Sequence, residues 1–298
     1  MAASKNFLFK IYKKCRDKAN SGNGIGFGKS YLGQKIINST NEMLKPDYCK
    51  IQGHKMFLDK HDSLDLSLNQ EYGVLETKII KDEIKSGDIV LDLGAHIGYY
   101  TLLFAKYVGS TGKVFAFEPE PSNFSLLKKN ISENNYTNII VEQKAVSDSN
   151  SKIDFWIGQD SSGANRIYKP EKTNTQKFKK SSVDCIKLDD YFSNSEFFSK
   201  INFIKMDLEG AEYKALLGMH SLLQNDNISI LTEFSPNSLD DAGSSPSKFF
   251  DLFLNEGFKL FYLDDLKQKI IPIEKNDLTQ INSTNQVINL LCKKQIET

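Results

Sequence analysis

From about residue 70 onward, short apolar runs alternate with helix-length amphipathic segments. Asp88–Leu93 (DIVLDL), Lys113–Phe117 (KVFAF), Ile139–Glu142 (IIVE), Ile201–Met206 (INFIKM) and Ile228–Phe234 (ISILTEF) read as strands. Their apolar residues are continuous rather than strictly alternating, which predicts strands covered on both faces. Between them, Ser122–Asn134 places Phe124, Leu127 and Ile131 at helical spacing, and Ala211–Leu223 does the same with Ala211, Ala215 and Leu222. Ser245-Pro246 before Phe249, Phe250 and Phe253 is a helix start, with serine as cap and proline in the first turn; Gly257 is its stop. Such alternation predicts an α/β fold with a mostly parallel, doubly wound sheet and right-handed crossovers. Two late strands, Phe258–Leu263 and Gln286–Cys292, have little helix potential between them. They predict an antiparallel hairpin, so that an antiparallel C-terminal strand closes one sheet edge.

The first part of the chain follows another pattern. Tyr48–Ile51 and Lys55–Asp59 flank Gly53-His54 and predict a β-hairpin. Ala19–Leu32 is rich in Gly, Ser and Asn and reads as a linker or loop. Its GNGIGFGKS does not have P-loop spacing. Phe7–Cys15 reads as a short amphipathic helix, with a weak membrane contact as the alternative. The expected division is an N-terminal segment over residues 1–69, holding the linker and hairpin, and a main domain over 70–298.

Composition narrows the field only modestly. A chain of 298 residues buries a core without covalent staples. Lysine plus arginine equals aspartate plus glutamate, at 38 each, so no global charge points to nucleic acid or an anionic membrane. Cys15, Cys49, Cys185 and Cys292 form no CxxC pair and read as free thiols of a reducing compartment. No run approaches the roughly 20 apolar residues of a membrane span, and the N-terminal run is too interrupted for a signal peptide. The cytoplasm is the expected location.

The chemistry concentrates where the first strand of the main domain ends. Val90–Thr101 (VLDLGAHIGYYT) is a buried strand, then Gly94, then Gly98, then an apolar helix. In an open α/β sheet, ligands bind beyond the carboxyl ends of the strands, and glycine lets the backbone approach them closely. Twenty residues after Gly98, Glu118 ends the next strand, where a carboxylate accepts both ribose hydroxyls of a nucleoside. Turn and acid together predict an adenosine-type ligand. The turn is GxxxG, lacking the middle glycine of the dinucleotide fingerprint, and Asp92 adds negative charge where a pyrophosphate would lie. A sulfonium with an amino-acid tail suits that field, so S-adenosylmethionine is the expected cofactor; a nicotinamide dinucleotide is the rival.

At this point the chain resembles the FkbM family of methyltransferases. The resemblance rests on DLGAHIGYYT (Asp92–Thr101), FAFEPEP (Phe115–Pro121), KAVSD (Lys144–Asp148), IKLDDY (Ile186–Tyr191) and IKMDLEGAEYKALLG (Ile204–Gly218), with YGVLE (Tyr72–Glu76) upstream. It spans about Tyr72 to Cys292. It implies a Rossmann-like class I methyltransferase fold, S-adenosylmethionine as donor, and an oxygen acceptor on a sugar, glycan, lipid or polyketide product. It also implies cofactor residues. Gly94, Ala95 and Gly98 form the turn, with Asp92, His96 and Thr101 around it and Glu76 upstream. Glu118 and Pro119 lie at the ribose, and Ala145 and Val146 near the adenine. Asp207 belongs to both the cofactor and the catalytic set.

A hydroxyl acceptor needs a base. Asp207 is the first candidate, Glu209 the second and Glu233 the third, all at the ends of buried strands; Glu212 follows one turn on. Asp207 or Glu209 could equally hold the cofactor's amino group or cap the helix starting at Gly210. A magnesium ion between the three has no evident further ligand, so no metal site is expected. His96 reads as turn spacer or tail contact rather than base. Tyr99 and Tyr100 read as packing or as a cation–π contact to the sulfonium, and Asp189-Asp190 as a helix-start acid pair. Lys169–Lys180 is a solvated loop or a mobile lid over an acidic glycan or headgroup, flanked by the aromatics Phe155, Trp156 and Tyr168. The expected function is an O-methyltransferase on a hydroxyl of a sugar, glycolipid or secondary metabolite. The alternatives are N-methylation of an amino sugar and a catalytically silent cofactor-binding domain. The acceptor's identity and the oligomeric state are not readable.

Overall fold

The computed structural model describes residues 8–9, 11–13, 39–159, 161–169, 177–274, 277, 281 and 286–294. The glycine-rich stretch Ala19–Leu32, Cys15 and residues 170–176 of the basic segment lie outside the described residues, and of the proposed Phe7–Cys15 helix only residues 8–9 and 11–13 are described, all helical. Cys49, Cys185 and Cys292 are free thiols.

The chain begins its described β structure with a hairpin of β1 (Tyr48–Ile51) and β2 (His54–Phe57). Ile51 pairs with His54, so the turn is Gln52-Gly53, one residue earlier than the sequence pattern suggests. Both turn residues have positive φ, 51° and 92°, as a two-residue turn matched to strand twist requires. Helix α1 (Val74–Glu83) leads into β3 (Ile89–Leu93), α2 (Tyr99–Val108), β4 (Lys113–Phe117), α3 (Pro121–Glu133) and β5 (Ile139–Glu142). After an inserted sheet come β9 (Ile201–Met206), α5 (Glu212–Leu217), β10 (Ser229–Phe234), α6 (Pro236–Asp241) and α7 (Pro246–Asn255). The chain then makes β11 (Phe258–Asp264), β12 (Lys269–Pro272) and β13 (Ile288–Lys294).

These strands form one eight-stranded sheet in the order β12-β11-β13-β10-β9-β3-β4-β5. Strands β5, β4, β3, β9 and β10 run parallel, and each face is apolar as the continuous runs predict. Leu91, Leu93, Ile204 and Met206 face α5 and α7, while Val90, Val114, Phe203 and Leu231 face α1 and α2. The chain fills one side of β3 first and then returns to the other. The crevice between β3 and β9 is therefore the topological switch point.

The fold class is as the pattern predicts, with one correction of position. The reversed strand β13 is not at the edge; it lies between β10 and β11 and is antiparallel to both. Its Leu290, Leu291 and Cys292 are buried, which an edge position would not provide. The edge is β12, a strand not apparent in the sequence pattern; it is exposed along its length and ends in Pro272, a residue that edges tolerate.

The insertion between β5 and β9 is a second sheet that the pattern also did not reveal. It is made of β6 (Ala145–Val146), β7 (Ser151–Gly158) and β8 (Phe178–Ile186), in the order β6-β8-β7, followed by the one-turn helix α4 (Leu188–Phe192). Ile153, Phe155 and Ile157 alternate onto one face with Val183 and Cys185. The helix predicted over Ala211–Leu223 is split after Leu217. A Cβ on Gly218 would lie 2.0 Å from the Ser147 carbonyl, so the insertion passes against the chain there.

The hairpin is part of the main body. Ile51, Met56 and Leu58 share an apolar cluster with α1 and α2. Two asparagines, Asn130 in α3 and Asn134 at its C-terminal cap, act as a surrogate strand for β2. Asn130 accepts from Phe57 N at 2.7 Å and donates to Phe57 O and Ile97 O; Asn134 accepts from Lys55 N at 2.9 Å and donates to Lys55 O. Because Asn130 is fully buried, Asn130→Ala leaves these backbone groups without partners. We expect a loss of roughly 1–3 kcal/mol in urea unfolding. An unchanged midpoint would show that water replaces the side chain at no cost.

Candidate functional site

The site is built on the close approach of the turn after β3 to the end of β9. Gly94 has φ +82°, and a Cβ there would fall 2.0 Å from the Asp207 carbonyl oxygen. Only glycine fits, for steric as well as conformational reasons. The amides of Gly94 and Ala95 both donate to Phe117 O at 3.0 Å, which binds the turn to the end of β4. Gly98 answers a different need. It starts α2 at φ +93°, and a Cβ would meet Leu127 of α3 at 2.7 Å.

Above these strand ends lies a cleft of about 1060 Å³, including its open mouth. Of the sequence-predicted residues, Gly94, His96, Glu118, Pro119, Ala145, Val146, Asp207, Glu209 and Glu233 line it. Ala95, Gly98, Thr101, Asp92 and Glu76 do not. Ala95 packs with Ala116 and Leu127. Thr101 donates its hydroxyl to Asp92, and both are buried beneath the turn, where lost hydration pushes the Asp92 carboxyl up to about 6. Glu76 lines a smaller neighbouring cavity with Tyr100, Lys205 and Asn289, and accepts from the Asn289 amide.

Glu118 is held by the backbone around it. It accepts from His96 N at 2.8 Å and Glu120 N at 2.9 Å. With the Asn123 amide acting on it as well, two or three of a carboxylate's roughly four acceptor positions are used, which leaves at least one for a cleft ligand. Burial pushes the carboxyl up to about 7. His96, at φ 51°, aims Nε2 at Ser162 Oγ, 2.7 Å away. Ser162 gives its own proton to Asp59 at 2.9 Å, which leaves its oxygen to accept from His96 Nε2. Burial lowers the imidazole's proton affinity, against the opposing charge of Asp59. His96 thereby ties the turn to the 161–167 loop, which roofs the cleft.

The far end of the cleft is acidic. Asp207 follows β9 and pairs with Lys205 Nζ at 3.0 Å. Lys205 is buried and lies 4.7 Å from the centre of the Tyr100 ring. Burial opposes its charge, but Asp207 and Asp92 outweigh that and raise its proton affinity above the ordinary lysine value. Glu209 lies 3.5 Å from Arg166. Burial, reinforced by Asp207, pushes its carboxyl up to about 8. Glu233, at the end of β10, has no ion-pair partner among the described residues, and burial together with Asp207 and Glu209 raises its carboxyl well above the usual range. Among the described residues no three His, Cys, Asp or Glu side chains gather as metal ligands.

Several expectations are settled by contacts. The helix cap near Gly210 is neither Asp207 nor Glu209. It is Ala211, which makes no side-chain cap bond, while the buried Glu212 carboxylate of the first turn reaches back to accept from Leu208 N at 2.8 Å. Tyr99 and Tyr100 are buried packing residues, and the cation over Tyr100 is Lys205. Asp189 opens α4 and accepts from Ser221 N and Leu222 N. Sequence reasoning missed Tyr72, Asn123, Ser162, Arg166 and Lys205. A signal existed for Lys205, the lone charge inside the strand INFIKM.

The Methyltransferase FkbM domain family matches residues 92–260, more than half of the chain. The chain belongs to this family. It is 27% identical over 145 residues to "Methyltransferase 1" of Beauveria bassiana, covering 44% of this chain and 57% of that protein. It is 28% identical over 154 residues to "Hexuronic acid methyltransferase AglP" of Haloferax volcanii, covering 52% of this chain and 59% of that protein. The chain thus spans under three-fifths of these relatives. A solved FkbM methyltransferase from Methylobacillus flagellatus KT aligns with 91% of this chain and 63% of its own, at 14% identity and a TM-score of 0.41. Among the described residues no helix is long and apolar enough to cross a membrane.

The acids have a measurable consequence. Glu209 ionises near 4.5 in an unfolded chain and near 8 in the folded one. Its contribution to stability is therefore full below about pH 4.5 and lost as pH rises through about 8. We expect the melting temperature of the ligand-free protein to fall over that window, and to fall less steeply in Glu209→Gln. Parallel pH profiles for the two proteins would remove Glu209 from the acidic cluster.

Proposed function

We propose that the protein is an S-adenosylmethionine-dependent O-methyltransferase whose acceptor is a hydroxyl of a sugar, glycolipid or secondary metabolite. The observation that carries this reading is the pairing of Glu118, a buried carboxylate with at least one free acceptor position, with a cluster of undercompensated acids across the same cleft. A nucleoside with a cationic tail fits both ends. The family supports methyl transfer, and the name of the Haloferax volcanii relative supports a sugar acceptor.

In this reading Glu118 accepts the ribose hydroxyls, while Ala145, Val146 and Phe117 form the apolar wall for the adenine. Asp207, held in place by Lys205, faces the positive charge of the tail. The cofactor, when bound, supplies an electrophilic methyl group, so the chain's task is positioning and proton removal. Asp207 is already committed to Lys205, which favours Glu233 as the acceptor of the hydroxyl proton. A cation bound beside Glu233 stabilises its ionised form and prepares it for that role.

The proposal predicts two separable defects. Glu118→Ala raises the dissociation constant for S-adenosylhomocysteine by ~10–100-fold, through loss of charge-assisted hydrogen bonds. Glu233→Gln lowers kcat by roughly 100-fold with little change in that constant. Unaltered binding in the first variant removes the ribose assignment, and full turnover in the second removes Glu233 from proton transfer.

A further inference from the structure

Of the 38 basic residues in this chain only two are arginines, Arg16 and Arg166. Lysine serves nearly everywhere that a positive charge is wanted. A guanidinium differs from an ammonium in its planar fork, which binds oxyanions through two parallel bonds. Arg166 lines the cleft, in the roof loop beside the acidic end.

Its position is fixed but its charge is poorly matched. The backbone of Arg166 is locked to Trp156 by two hydrogen bonds, 2.8 and 3.0 Å long. The guanidinium lies against the rings of Tyr168 and Phe178, 5.4 and 5.2 Å from their centres. The side chain is only 11% exposed. Even so, the Glu209 carboxylate is 3.5 Å away, well beyond the usual length of a charge-assisted hydrogen bond. Nη1 donates to the Tyr168 hydroxyl at 3.3 Å, and Nε is buried with no acceptor among the described residues. A buried guanidinium without a hydrogen-bonded anion is costly.

The geometry points to Arg166 as the specificity residue for the acceptor, binding a carboxylate carried by the molecule to be methylated. The acceptor class is then an acidic sugar or a comparable hydroxy acid. This rests on the methyl-transfer reading above. The carboxylate belongs to the acceptor rather than to the cofactor because the roof loop divides its contacts. Ser162 holds the turn that carries His96, while Arg166 lies 3.5 Å from Glu209, whose charge acts on the proton-accepting candidate Glu233. A monoanion fits better than a phosphate. One guanidinium stands alone there, and the Asp207 carboxylate would repel a dianion more than a monoanion. With its proton retained at neutral pH, Glu209 is able to donate a second hydrogen bond to the same carboxylate.

The test uses methyl α-D-glucuronide, methyl α-D-glucoside and glucose 1-phosphate as probes. Their binding to the full chain is measured by NMR titration in the presence of S-adenosylhomocysteine. We expect the glucuronide to bind roughly 10–100-fold more tightly than the glucoside. Arg166→Gln should remove that preference while leaving S-adenosylhomocysteine binding intact, and Arg166→Lys should restore it only in part. Equal affinity for glucuronide and glucoside in the wild type overturns the assignment, whether or not the variants fold. So does a preference for the phosphate, or a carboxylate preference that persists in Arg166→Gln. Failure of the wild type to bind S-adenosylhomocysteine contradicts the cofactor reading and this inference with it. Intact S-adenosylhomocysteine binding without a charge preference overturns this inference alone.

Discussion

The whole site hangs on one contact between backbones, the approach of Gly94 to the carbonyl of Asp207. A Cβ at Gly94 would be 2.0 Å from that oxygen, so β3 and β9 can end side by side only if their junction has no side chain. This is where the winding of the sheet reverses, and it leaves a crevice above the strand ends. The turn after β3 then carries His96 over β4, where its amide engages Glu118. The same junction sets Asp207, Glu209 and Glu233 along the opposite rim. A backbone-held carboxylate and an acidic rim therefore share one cleft because two parallel strands were allowed to touch.

Electrostatics give that cleft its character. The acidic rim is incompletely neutralised by Lys205 and Arg166, so protons are held where a ligand cation would otherwise bring the balance. Such a rim is unfavourable to ionised carboxylates in the empty protein and favourable to a positively charged ligand. The roof loop completes the enclosure. Its anchor is the chain Asp59–Ser162–His96, which joins the segment after the N-terminal hairpin to the glycine turn. The hairpin thus contributes to the site through its packing on α3 and through the residues that follow it.

Much of this was legible in the sequence because it obeys local rules. The five parallel strands are continuous apolar runs, and Gly94 and Glu118 stand at strand ends. The cap of α7 is the expected Ser245, which accepts from Lys248 N. What was not legible depends on tertiary partners. Gly98 reads as a ligand-facing glycine, but its φ of +93° and its packing on Leu127 are what favour glycine there. Asp92 reads as a cleft charge but is turned beneath the strand towards Thr101. The placement of β13 between β10 and β11 follows from burial on both faces, which no local pattern encodes. Arg166 belongs to a β insertion whose alternating Ile153, Phe155 and Ile157 make too short a pattern to stand out from their neighbours. Its partners Glu209 and Tyr168 are distant or unremarkable in sequence.

Titration calorimetry of the whole chain with S-adenosylhomocysteine, and separately with NADH, asks whether this cleft takes an adenosyl group with a charged amino-acid tail and not a dinucleotide. We expect saturable binding of S-adenosylhomocysteine at one site per chain, with no detectable heat from NADH. Binding of NADH in preference, or of neither nucleotide, would rule that ligand out.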